Sequence, residues 1–69
     1  MIKKFKVMDL YGVLGTVWDV DAKHAASRMA EHVGLDAMIL VHDADSGRVT
    51  HWRKIDAPEA EIQVRKVHN

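Results

Sequence analysis

Sixty-nine residues allow one small domain, and ten basic against ten acidic residues leave no net charge, which argues against a dedicated polyanion binder. The absence of cysteine excludes disulfides and thiolate metal sites. A chain this short buries a low fraction of its surface, so self-association is expected before any motif is considered.

The charge is unevenly spread. Residues 1–8 hold three lysines and no acid, residues 9–47 seven acids against two bases, and residues 48–69 five bases against three acids. No run approaches the roughly 20 apolar residues of a membrane span. Lys6 and Asp9 interrupt the stretch after Met1-Ile2-Lys3-Lys4 where a signal peptide would be apolar. A soluble, cytoplasmic protein with one domain over residues 1–69 is the expectation.

In chain order, Ile2 to Met8 alternates Phe5 and Val7 with Lys4 and Lys6, the period of a half-buried strand. Asp9-Leu10-Tyr11-Gly12 suits a type I turn closed by a left-handed glycine. Val13 to Val20 returns as a second strand, rich in β-branched residues and bearing Trp18. Setting Asp9 opposite Val13 pairs Phe5 with Val17 and Val7 with Gly15 on one face, and Lys4 with Trp18 and Lys6 with Thr16 on the other.

From Asp21 to Val33 the apolar residues Ala22, Ala25, Ala26, Met29, Ala30 and Val33 follow the rhythm of one helix face. Asp21 is placed to cap the start. Gly34 suits a left-handed ending, with Leu35 folding back. Ala37 to Val41 is apolar without alternation, as in a strand covered on both sides. Asp43 to Gly47 makes another turn, and Arg48 to Ile55 returns as a fourth strand. With Ala44 opposite Arg48, Leu40 meets Trp52 and Met38 meets Lys54, while Ile39, Val41 and Val49 look the other way. The tail resembles a capping box at Asp56-Ala57-Pro58-Glu59, yet Ile62 to Arg65 alternates, which favours a turn and a short edge strand over residues 61–67. The expected fold is α+β: a two-layer β-β-α-β-β(-β) arrangement with one antiparallel sheet covered on one face by a single helix of about residues 21–33.

Under those registers the uncovered face gathers Lys4, Lys6, Trp18, Met38, Leu40, Trp52 and Lys54. An exposed apolar patch of this kind marks a contact surface, and Trp is enriched at binding hot spots. The first expectation is therefore a non-enzymatic interaction or regulatory module, with Trp18 and Trp52 as anchors and Met38 and Leu40 around them. It is served foremost by a homodimer packed face to face, then by a foreign protein. The alternative is a base-stacking platform for single-stranded nucleic acid on Lys4, Lys6, Trp18, Trp52 and Lys54. Internal covering of the patch by the tail is the remaining possibility.

Other constellations are explained by local structure. Asp43-x-Asp45-x-Gly47 lacks the later ligands of a calcium loop, because Gly47, Arg48 and Lys54 stand where an oxygen ligand, glycine and glutamate are needed. His24 and His32 lie too far apart on the helix for one ion, and His42 and His51 have no metal-site spacing. Ser27 and Ser46 fall in no nucleophile or phosphate-loop pattern. No cofactor and no catalytic residue are expected. In format the chain resembles many small cysteine-free bacterial domains, and it is similar to some phage-encoded inhibitors that occupy a host protein's surface; the resemblance implies a binding role at the level of fold and size.

Overall fold

A computed structural model of the chain describes residues 1–67. Its elements are β1 (Lys3–Asp9), β2 (Gly12–Asp19), α1 (Ala22–Met29) continuing into a 3-10 turn (Ala30–His32), β3 (Met38–Asp43), β4 (Val49–Lys54) and β5 (Val64–Val67). The strands form one antiparallel sheet in the order β2-β1-β3-β4-β5. The helix lies on one side of it, which makes the α+β architecture expected from the alternation and the single helical segment. Because β2 and β3 are both antiparallel to β1, the connection carrying α1 passes over β1 to join them.

The first hairpin follows from its turn. Asp9 Oδ1 accepts the N–H groups of Tyr11 and Gly12 at 2.7 and 2.9 Å, and Gly12 takes the positive φ that a side chain would resist. Lys4 opposes Trp18, Phe5 opposes Val17, Lys6 opposes Thr16 and Val7 opposes Gly15, the register inferred from the alternation. Next to the turn the register shifts. Met8, not Asp9, faces Val13 and Asp9 faces Gly12, because one extra residue, Leu14, bulges out of the ladder and packs against the core.

The second hairpin departs from expectation by one residue. Asp43, not Ala44, closes the loop opposite Arg48, its N–H donating to Arg48 O at 2.9 Å. The loop is therefore the four residues from Ala44 to Gly47. Asp43 Oδ1 accepts from Asp45 N and Ser46 N at 2.8 and 3.2 Å, and Gly47 sits at φ +77°. These N–H bonds hold the Asp43 carboxyl below the ordinary carboxylate range, with Lys3 nearby adding to the effect. The slip exchanges the faces of β4. Ile39 pairs with Trp52, Leu40 with His51 and Met38 with Arg53.

The end of the helix also differs. Asp21 caps it as expected, Oδ1 accepting His24 N at 2.8 Å, but Gly34 is not left-handed; Asp36 is, at φ 64°. The last turn tightens over Ala30–His32 and Val33 is extended. Lys54, reaching across from β4, donates to Val33 O at 2.9 Å. A tertiary lysine thus satisfies a carbonyl near the helix end, where a local glycine motif would otherwise serve.

The core lies between α1 and the sheet. Phe5, Val7, Ile39 and Val41 are its largest fully buried residues, joined by Ala25, Ala26, Ala30, Trp52 and Val64. The alanines let the helix come close, so the bulk is supplied from the sheet side. The tail adds β5 to the edge beside β4, the arrangement its alternation implied. Ser27 Oγ fastens the approach, donating to Glu61 O at 3.1 Å and accepting from Gln63 N at 3.0 Å.

One ionic pair at the cap gives the fold a pH signature. His24 Nδ1 lies 2.7 Å from Asp21 Oδ1. That hydrogen bond raises the imidazole above its ordinary 6.5. The His24 backbone N–H, then its side chain, hold Asp21 below 3.8. The raised histidine stabilises fully below about 6.5 and loses its effect as pH rises through its folded value. The lowered aspartate stabilises fully above 3.8 and loses its effect as pH falls through its folded value. Denaturant midpoints of the wild type and His24→Gln should therefore differ most between these limits and converge in alkali. A gap that stays constant with pH would show that the ion pair contributes nothing.

Candidate functional site

Strand alternation sorts the side chains onto two faces. Against the helix lie Phe5, Val7, Val17, Ile39, Val41, Trp52 and Val64. On the open face β1 presents Lys4, Lys6 and Met8, β2 presents Thr16 and Trp18, β3 presents Met38, Leu40 and His42, β4 presents Val49, His51 and Arg53, and β5 presents Arg65 and Val67. Among the described residues no strand position on this face holds an aspartate or glutamate. A neutral chain therefore carries a face with four fixed cations: Lys4, Lys6, Arg53 and Arg65.

The neighbours sharpen this. Arg53 stands directly opposite Arg65, and Lys6 opposite His42. Like charges opposed across strands are destabilising, and among the described residues nothing acidic on the face relieves the Arg53–Arg65 pair. Arg53 donates to the Asp36 carbonyl at 3.3 Å, which orients it but leaves its charge unneutralised. Lys4 lies across from Trp18, whose indole is 63% exposed. Met8 sits opposite Leu40, so an apolar strip with Met38 runs between the cationic positions.

The residues inferred from sequence thus divide. Trp18, Met38, Leu40, Lys4 and Lys6 share the open face. Trp52 and Lys54 do not, because of the one-residue slip in the second hairpin. Trp52 is 6% exposed and its Nε1 donates to Thr50 Oγ1 at 2.8 Å, so its only polar atom is satisfied within the fold. Lys54 is engaged at Val33. Arg53, Arg65 and His42 take their places and had been missed. Setting β4 one residue back brings out Arg53 and, opposite it, Arg65; His42 follows from Leu40 by alternation along β3 whatever the register of β4.

The face continues around one end of the sheet. Tyr11 is 97% exposed at the β1–β2 turn and lines, with Leu10, Val33, Met38 and Arg53, an open cleft of about 580 Å³. A second groove, about 330 Å³, lies on the helix side and mixes Lys3, Lys23, Arg48 and Lys66 with Asp21 and Asp43. Among the described residues no three His, Asp or Glu side chains gather as a metal would require, and no helix is long and apolar enough to cross a membrane. Compared with known proteins, the chain matches no family model, no curated protein and no solved structure.

The placement of the two indoles is directly measurable. With Trp18→Phe the remaining emission should be blue-shifted and resist acrylamide; with Trp52→Phe it should be red-shifted and easily quenched. Trp52→Ala should cost about 3–5 kcal/mol by denaturant titration, as buried aromatic truncations do, and Trp18→Ala at most about 1. Equal quenching of the two indoles would refute the observed register.

Proposed function

We propose that the chain is a non-enzymatic, cytoplasmic binding module whose open sheet face takes a single-stranded nucleic acid. The observation that carries this is the pairing of Arg53 with Arg65 on a face without a carboxylate. Keeping two guanidiniums opposed costs stability unless an anion lies between or above them. Three inter-strand steps of about 4.8 Å separate β1 from β5, so the lysines and arginines bracket a track about 14 Å wide. Trp18, exposed beside Lys4, offers an aromatic plane on which a base stacks. Tyr11 offers a second at the rim. Neutral composition does not weigh against this reading, since the partner meets one face rather than the whole chain.

The same charges count against a homodimer packed face to face, because each copy would set four cations against four with no acid opposite. A foreign protein remains the second reading, favoured by the strip of Met8, Leu40 and Met38, and it would need an acidic rim. An inhibitor of a host protein falls within that class.

Salt separates the two. With four phosphates neutralised, the single-strand slope is about −0.7 per contact, near −2.8 in all, so oligonucleotide affinity should fall on the order of 50-fold between 50 and 200 mM salt. Fluorescence anisotropy with a labelled single strand measures this. Arg65→Gln should reduce the slope by about 0.7 while leaving the folding midpoint unchanged or raised. Binding should quench Trp18. Absence of binding at 50 mM salt, or binding indifferent to salt, would overturn the proposal and leave the protein reading.

A further inference from the structure

The two edges of the sheet are built differently. β5 is four residues long and carries Arg65 and Lys66, the short and charged design that discourages pairing with another strand. β2, the opposite edge, is eight residues long and has no charged residue and no proline between Gly12 and Asp19. Its bulge is confined to the turn end, near Val13 and Leu14, and Gly15 to Asp19 pairs regularly with β1.

Which backbone groups of β2 face outward follows from one bond. Ala44 N donates to Lys4 O at 3.1 Å, so the polar groups of Lys4 point toward β3. Along a strand these groups alternate sides from one residue to the next. Those of Phe5 and Val7 therefore point toward β2 and meet Val17 and Gly15. Thr16 and Trp18, opposite Lys6 and Lys4, direct their N–H and C=O groups away from β1, where no strand lies among the described residues.

We propose that β2 pairs antiparallel with β2 of a second copy, about a two-fold axis at Val17. In that register Thr16 and Trp18′ (the prime marking the second copy) exchange both backbone hydrogen bonds, and Trp18 and Thr16′ do the same on the other side of the axis. The outward groups of the regular stretch are then all used. Such an interface is self-complementary, as a two-fold requires, and it works by strand addition. It also relieves the small-domain problem without opposing the cationic faces. An antiparallel two-fold of this kind stands perpendicular to the sheet, so both helices stay on one side and both open faces join on the other. The sheet becomes ten strands wide. Trp18 and Trp18′ are diagonal neighbours at about 7–8 Å, in the middle of a surface with twice the fixed cations of one copy. The inference stands on the edge geometry and holds whatever the open face binds.

The test is a solution mass by sedimentation or light scattering across a dilution series, without nucleic acid. The wild type should approach twice the 7.8 kDa of one chain at high concentration. Thr16→Pro removes an N–H that makes no bond to β1, a substitution an edge strand tolerates, and it should stay near the single-chain mass with an unchanged circular dichroism spectrum. Amide exchange on the unmodified protein guards against a variant that fails to fold. The Thr16 and Trp18 amides should be protected at high concentration and exchange freely on dilution, while Val17 stays protected throughout. A monomer at millimolar concentration would overturn the proposal. So would a dimer in which Thr16 and Trp18 exchange freely, since it would use another surface.

Discussion

The structure turns on Trp52 lying beneath an alanine-lined helix. With Ala25 and Ala26 of α1 and Ala30 of the 3-10 turn that follows all buried, the helical segment contributes closeness rather than volume. Trp52, one of two tryptophans, then fills the space from the sheet side, opposite Ile39. This placement is possible because Thr50 Oγ1, two residues away on the same strand and the same face, accepts the indole N–H. A buried Trp without such a partner would lose a hydrogen bond on folding. Once Trp52 is inside, its neighbours His51 and Arg53 must point outward, and the character of the other face is settled by that alternation.

The parts of this fold legible in the sequence are those set by local chemistry. Asp9 and Gly12 define the turn, and the alternation of Phe5 and Val7 against Val17 and Gly15 fixes the register beyond it, the two being reconciled by the bulge at Leu14. Asp21 before an alanine-rich helical face marks the helix start. The second hairpin was legible in kind but not in register. Asp43-Ala44-Asp45-Ser46-Gly47 accommodates a loop closed at Asp43 or at Ala44, and both settings give plausible apolar pairs. What decides between them is the Asp43 carboxylate accepting two loop N–H groups, together with the room for an indole under the alanines. The second of these is tertiary and leaves no mark on the local pattern. The helix end is similar. Gly34 looks like a natural stop, but a lysine twenty residues on reaches the carbonyl of Val33 first.

Charge follows the same division between local and distant causes. Four of the ten carboxylates are engaged by the backbone or by a single partner: Asp9 and Asp43 in turns, Asp21 at the helix cap, and Asp19, nearly buried, with Arg28 at 3.0 Å. Each of these roles belongs to a turn, a cap or a strand end. Of the basic side chains on the strands, alternation sends Lys4, Lys6, Arg53 and Arg65 to the open face and Lys3, Lys54 and Lys66 to the helix side. Net neutrality is a sum over both populations and is silent about where each is placed. The single sign of the open face thus reflects where the aspartates go, since Asp9, Asp21 and Asp43 are taken up by the turns and the helix cap.

The sheet's faces and edges bear on each other through this distribution. A face of one sign repels its own copy, so a second copy cannot relieve a small core by covering that face. The remaining unprotected surface is the β2 edge, where the backbone supplies both donors and acceptors and no side-chain charge intervenes. Pairing there leaves the cationic face open and makes it wider. The Arg65 and Lys66 that guard the far edge would then stop growth at two copies, since β5 of one dimer meets β5 of another with like charges opposed. Pairing as proposed would thus give a chain too small for a large core one direction of assembly, and that direction would leave the cationic face uncovered.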